Sequence, residues 1–538
     1  MRTRRQENRH KRAENRQEAW AKHQPTSISG QAGATITITR RLRTEPWQED
    51  FLDRKMHQLN KMYNVAVKYH KPILDVLQAD EEFDTVKKRY LKLAKVRPPK
   101  QPFEDKKLER EYQGLKRLVN ATLKACGFTK SQLESYMVRL KNRAYQGMGS
   151  DITQRLAESL LQAIEKVIWG TGRSIHYRKA WGTNSFCEKR NDTGIILKMD
   201  DTHAHDVVRV MGQNIPIKPV RPSDDFMRIV LETGTVRYSR ITREPFGERY
   251  HYFVQTVMAV PFYPCTKPMG TGDGFVDPGM SIMAVDSDGY SEIFILADGK
   301  EKYEAAIADA QRDYGRKRRA NNPDNYNPDG TVRRDTRSFR KEWHHSNSMR
   351  RSVMRLKSAY RKKASFVRNS HGRQKNLFLA HVSRVGYEDM SYRGLAKKAK
   401  RDATNPNKRR KRFGGSVSRN APASWLSGLA SSLVLRGQEV VVVDTFKTRL
   451  SQLDHVSGGF VRCPLSVRVK VVGVDRVQRD LYSAFLGRHT LSGVTDLAGC
   501  VSDFGLFLVR QAAVMGRLSA RSGVPSCVGV KDFLAEVA

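Results

Sequence analysis

Three short stretches in the C-terminal half of the chain carry carboxylates where phosphoryl chemistry could be done. The first, GFVDPGMSIMAVDSDG (274–289), reads as a strand, a tight turn and a second strand, with Asp277 where Phe275–Val276 meets Pro278–Gly279. The second, RVGYEDM (384–390), puts Glu388 at the end of another short strand. The third, VQRDLYSAFLGRH (477–489), puts Asp480 at the start of a helix. Carboxylate oxygens suit hard divalent cations such as magnesium. Two such ions about 3.5–4 Å apart clamp the attacking and leaving oxygens of an in-line phosphodiester displacement. Acids this far apart in sequence can share ions only if strand ends and a helix start gather at one edge of a sheet.

Each acid also has a plainer use. Asp277 would serve as a turn cap. Asp389 stands beside Glu388, and strand alternation lets only one of the two point into a site. Asp480 would serve as an N-cap or first-turn acid, favoured by the helix dipole. Asp286, Asp288 and Asp475 lie close by, and we assign them turn or surface roles.

Stepping outward, ATITITRRL (34–42) alternates as a strand, and residues 47–170 are helical in pattern. Phe51, Met56, Leu59 and Met62 carry the first apolar stripe. Ile152, Leu156, Leu160, Ile164 and Val167 carry another, with Ser150 or Asp151 as cap and Gly170 as stop. From 172 to 262 the period becomes two: SIHYRK, TGIILKM, FMRIVLETG, TVRYSRIT and YHYFVQTVMAV read as strands. This gives a β-rich domain (34–46 and 171–262) with a helical insertion at 47–170, then a Pro/Gly linker at 263–273. Residues 274–450 and 476–538 form the carboxylate-bearing domain. Inside it a basic helical segment, 301–375, has Met349, Val353, Leu356, Tyr360, Ala364 and Val367 on one helix face, and Arg350, Arg351, Arg355, Lys357, Arg361, Lys362 and Lys363 on the other. Lys397–Arg412 is a basic loop, EVVVVDT a strand of the fully buried type, and Phe504–Val514 part of an apolar helix.

The charge is the strongest compositional signal. Lys and Arg number 97 against 56 Asp and Glu, for a formal charge of +41 in 538 residues. Ordinary metabolic enzymes need no such excess, whereas a polyanion partner does. A guide–target heteroduplex of about 20 bp carries about 40 phosphates, which is the right order. Arg351, Arg355, Lys362, Arg410, Arg449 and Arg479 are the candidate nucleic-acid contacts, and residues 1–33 read as a basic arm. The six cysteines (Cys126, Cys187, Cys265, Cys463, Cys500 and Cys527) contain no CxxC pair, which argues against a disulfide framework or a four-cysteine zinc site and fits a reducing cytoplasm. No 18-residue apolar run suggests a membrane span, and the first residues lack a signal-peptide core.

The acid positions have the layout of an RNase H-like nuclease core. Five ordered blocks sharpen this: GFVDPGMSIMAVDSDG, VGYEDMSYRGL, FGGSVSRNAPASWLSGL, DTFKTRLSQLDH and QRDLYSAFL. Together they resemble the transposon-encoded TnpB nucleases and the compact type V CRISPR effectors. The likeness is good over 274–490 and weaker over 34–262, where only the order of strand, helical block and sheet is similar. It implies a multidomain α/β protein, with an RNase H-like (RuvC) core, a β-barrel-like wedge domain and an inserted helical recognition domain. Asp277, Glu388 and Asp480 would be both the catalytic residues and the ligands of two Mg2+ ions. The partners would be a guide RNA and double-stranded target DNA bearing an adjacent motif, in a prokaryotic cytoplasm. The family commonly holds a zinc ion on two cysteine pairs between its second and third motifs. Here that segment, 451–475, offers only His455 and Cys463, so no zinc is expected and Cys463 reads as a small buried apolar residue. The function implied is RNA-guided DNA cleavage at one magnesium-dependent site. Guided binding with weak or no cleavage, and a guide-independent transposon-associated nuclease, are the alternatives.

Overall fold

The computed structural model describes residues 34–98, 101–179, 182–264, 266–333, 342–397, 413–464 and 466–535. The basic arm, most of the basic loop with Arg410, and Cys265 lie outside them. The chain divides into two compact units, one of residues Thr35–Val260 and one that holds Pro261–Ala538.

In the first unit, β1 (Ala34–Arg41) alternates buried and exposed side chains, as half-covered strands do. Five helices follow: Pro46–Ala79, Glu81–Val96, Lys106–Ala125, Lys130–Ala144 and Ser150–Ile168. The remaining strands are β2 (Ser185–Cys187), β3 (Ile195–Lys198), β4 (Val207–Val210), β5 (Gln213–Pro216), β6 (Thr235–Phe246) and β7 (Arg249–Val260). They form a four-stranded sheet ordered β1-β7-β6-β2 and a three-stranded sheet ordered β3-β4-β5. One core joins helices and sheets, from Leu52, Met56, Leu59 and Met62 through Leu160 and Ile164 to Val208, Ile215 and Val254.

Two expected strands are absent. Residues 174–179 are irregular because helix side chains take their backbone groups: Asn64 binds both the N–H (2.7 Å) and the C=O (2.8 Å) of Arg178, and Asn60 donates to the Lys179 carbonyl. FMRIVLETG falls in a helix, Asp225–Thr233, capped by Asp224 on the Met227 N–H, with Val230 and Leu231 buried side by side. Strands β4 and β5 were not foreseen.

The second unit contains β8 (Gly272–Pro278), β9 (Ile282–Ser287), β10 (Tyr290–Ile295), β11 (Val382–Glu388) and β12 (Val440–Val443) in one sheet ordered β10-β9-β8-β11-β12. β8 begins two residues inside the stretch read as a linker. It runs antiparallel to β9 and parallel to β11, which runs parallel to β12. β13 (Val469–Val472) and β14 (Asp475–Gln478) make a separate hairpin. Alternation along the sheet separates two cores. Phe275, Ala284, Ile293 and Ile295 face the helices Arg479–Arg488 and Leu497–Ser519. Val276, Met283, Val285 and Phe294 face Phe378, Leu379, Trp425 and Leu429. β12 is only partly covered, so it is an edge strand rather than a fully buried one.

Helix Leu497–Ser519 is long and apolar enough to cross a membrane by length and composition, contrary to the sequence expectation. Here Cys500, Phe507, Val514, Met515 and Leu518 bury one face against the sheet's core. The long basic helix, Asn347–Leu379, packs along helix Glu301–Asn321, with Tyr303 against Phe366 and Gln311 donating to the Tyr360 hydroxyl (2.7 Å). Polar contacts join them too: Lys317 bridges Asp313 and Ser352, and Lys363 pairs with Glu304.

Helix Arg479–Arg488 is brought close to the sheet by glycine. A Cβ on Gly487 would lie 2.2 Å from the Phe275 ring, and one on Gly386 would lie 2.3 Å from Leu491 and 2.7 Å from Phe275. Gly487→Ala is therefore expected to destabilise this unit by about 1–3 kcal/mol through overpacking. Chemical denaturation of wild type and variant would show it; an unchanged midpoint would mean the helix can lift off Phe275 freely.

Candidate active site

β8 and β11 are parallel neighbours in a register that pairs Tyr387 with Val276. Their next residues, Glu388 and Asp277, thus end adjacent strands side by side at the carboxyl edge, where ligands bind in open α/β sheets. Alternation also chooses between Glu388 and Asp389. Gly386 touches Phe275 and Leu491 on the face of helix Arg479–Arg488, while Tyr387 lies in the opposite core. Glu388, two residues after Gly386, shares the face of Asp277; Asp389 is out of phase. Asp480 is the second residue of helix Arg479–Arg488, whose N-cap is Gln478.

The three acids feel one another. Burial, then the charges of Asp480 and Glu388, push the Asp277 carboxyl well above its usual range, with Arg479 opposing. Burial pushes Glu388 up to about 7. An all-oxygen donor set of this kind fits hard divalent cations.

Asp480 is held differently. Arg479 donates to its Oδ1 from Nε (3.2 Å) and Nη2 (3.0 Å), and Arg468 Nη1 lies 3.9 Å from its Oδ2. Arg479 is only 7% exposed and also donates to the carbonyls of Pro464 and Val467. Its guanidinium thus ties the third acid to the segment preceding β13. Arg351, Arg355 and Lys362 are exposed along one side of helix Asn347–Leu379. Arg449 is exposed in the left-handed region (φ +45°), its guanidinium 5.4 Å from the centre of the Phe460 ring.

Several residues escaped the sequence reading. Tyr392 is buried and donates to the Gly279 carbonyl (3.1 Å); burial and the Asp277 charge raise its pKa. Asn420 donates to the Met280 carbonyl (3.0 Å) and to Ser281 Oγ (3.1 Å), bracing the turn after Asp277. Both lie in stretches singled out for other reasons, SYRGL and VSRNA. Asp286, assigned a turn or surface role, is fully buried: Arg488 and Arg510 pair with it, Ser291 donates to it, and Arg488 reaches on to Asp288 and Asp503. Cys463 is partly exposed rather than buried, and His455 is buried with its Nδ1 2.8 Å from the Tyr482 hydroxyl.

The raised Glu388 sets a pH dependence. Without divalent ions the folded protein holds this proton up to about pH 7, whereas an unfolded chain releases it near the usual 4.5. The native state binds more protons across that window, so its stability falls as pH rises through it. Denaturant midpoints in chelator at pH 5 and pH 8 should differ less in Glu388→Gln than in wild type. An equal difference would place Glu388 in water.

No protein-family model and no curated protein matches the chain. Among solved structures, a cryo-EM structure of a Cas12f1–sgRNA–target DNA complex is similar at 10% identity, covering 84% of this chain and 98% of that one, with a TM-score of 0.40. A cryo-EM structure of a CRISPR–Cas12f ternary complex covers the same shares at 9% identity and a TM-score of 0.22.

Proposed function

We propose that the chain is an RNA-guided DNA endonuclease with a single magnesium-dependent RuvC-like site. The convergence of Asp277, Glu388 and Asp480 at one sheet edge, with the mutual repulsion that a bound cation would relieve, carries the nuclease part. The formal charge of +41 and the exposed basic side of helix Asn347–Leu379 support a long polyanionic partner. The ordered sequence blocks support guidance by RNA. Asp277 and Asp480 would hold the ions. Glu388 would share an ion and help position the attacking water. When bound, magnesium supplies Lewis-acid stabilisation of the phosphoryl oxygens and a more acidic water. Tyr392 and Asn420 hold the turn that presents Asp277.

One observation favours the second reading, guided binding with weak cleavage: Asp480 is engaged by Arg479 and approached by Arg468. The two readings separate on a pre-unwound target. The protein is expressed with its flanking DNA, purified, and its bound RNA sequenced. That RNA then directs the protein to matching DNA containing an open bubble, in excess Mg2+. RNA with a constant scaffold and a variable end, and cutting within the bubble, is the expected result. Binding without cutting would favour the second reading, and random or absent RNA would overturn guidance.

A further inference from the structure

The loop joining β3 to β4 carries a second chemical cluster, in the unit that does not hold the acid triad. Asp200, His203 and Asp206 bring one ligand atom each to within 4.8 Å of one another. His203 is 8% exposed and Asp206 1% exposed. Two of these atoms are stranded. His203 Nδ1 and Asp200 Oδ1 are buried and make no hydrogen bond, although Nδ1 is 3.3 Å from Asp206 Oδ2. An unmade hydrogen bond on a buried polar atom is destabilising, and a bound ion would satisfy both atoms.

The other atoms are accounted for. Asp200 Oδ2 accepts from Thr202 Oγ1 (3.0 Å) and the His205 N–H (3.1 Å). Asp206 Oδ1 accepts from the Asp200 N–H (2.8 Å), and Asp206 Oδ2 pairs with Arg40. Arg40 also donates to the carbonyls of His203 (3.3 Å) and Lys218 (3.1 Å). Two carboxylates face one guanidinium here, so a divalent ion is electrically acceptable.

We infer that Asp200, His203 and Asp206 form a binding site for a divalent first-row transition-metal ion. One imidazole nitrogen with two carboxylates suits Mn2+, Co2+ or Zn2+ rather than Mg2+ or Ca2+. His203 would carry its proton on Nε2, leaving the Nδ1 lone pair for the ion. Asp200 is only partly buried, so the cluster reaches solvent on that side. Because Arg40 lies in β1 and pairs with Asp206, the ion would clip the β3–β4 loop onto β1, coupling metal binding to the stability of this unit. The inference does not rest on the endonuclease reading.

The test is a Co2+ titration of the full-length protein in excess Mg2+, followed by visible absorption and equilibrium dialysis. One equivalent of Co2+ should bind with weak ligand-field bands and without thiolate charge-transfer absorption. That equivalent should vanish in His203→Ala and be kept in Asp201→Asn, an exposed neighbour. If His203→Ala fails to fold, Asp200→Asn reads the same equivalent, and its loss is expected there too. Equal cobalt binding by wild type and the folded variant, no cobalt binding by wild type, or thiolate bands on the bound ion would each overturn the assignment.

Discussion

Asp277→Ala is expected to lower the rate of DNA cleavage by on the order of 10³-fold, while RNA and DNA binding stay within about two-fold of wild type. Asp277 ends the central strand of its sheet, beside Glu388 and in the field of Asp480. On the proposed mechanism, alanine would remove an ion ligand beside the other two acids, and water would not replace a carboxylate held by a strand. Binding should survive because the exposed basic residues lie elsewhere, along helix Asn347–Leu379. The metal-free variant should also be no less stable than wild type, since the carboxyl it loses is disfavoured there by burial and by its neighbours' charges. Single-turnover cleavage of labelled single-stranded target, with filter binding beside it, reads both quantities. A loss of ten-fold or less would move the chemistry away from Asp277.

Arg488→Met is expected to destabilise the same unit by about 3–5 kcal/mol, because breaking a buried ion pair leaves its partner's charge uncompensated. Arg488 donates from Nε to Asp286 (2.8 Å) and from Nη1 to Asp288 (2.6 Å), and its Nη2 pairs with Asp503. Arg510 stays near Asp286 and Asp503 at 3.4 and 3.8 Å but donates to neither as closely. Burial already raises the Asp286 pKa despite both arginines, so losing one should raise it further. The double variant Asp286→Asn/Arg488→Met should recover part of the loss, because it removes the stranded charge as well. Urea denaturation of the three proteins checks this. A single variant within about 1 kcal/mol of wild type would mean Arg510 suffices.

The contrast between Asp286 and Asp277 shows where sequence reasoning reaches. Asp277, Glu388 and Asp480 were legible because each sits at an apolar-to-polar junction that ends a strand or starts a helix. Asp286 looked like a turn residue because its arginines lie about 200 positions away, and nothing local announces a pair closed across the whole domain. The choice between Glu388 and Asp389 needed the phase of β11, which Gly386 against Phe275 supplies. The helices of the first unit were legible from their apolar stripes. Residues 174–179 were not, because Asn60 and Asn64 on a distant helix bind the backbone groups a strand would use. FMRIVLETG has strand-like composition, and the Asp224 cap decides for helix. Arg479 next to Asp480 read as a nucleic-acid contact, but it is buried and turned to its own chain. Its burial follows from the carbonyls of Pro464 and Val467, which no spacing rule links to it.

The most direct measurement programs the purified protein with two RNAs that differ only in their variable segment. Cleavage of both matching targets is then followed in Mg2+ and in chelator. Cuts should follow the guide, require Mg2+, and disappear with Asp277→Ala. Cutting that ignores the guide, or survives chelation or Asp277→Ala, would contradict a guided nuclease built on these three acids.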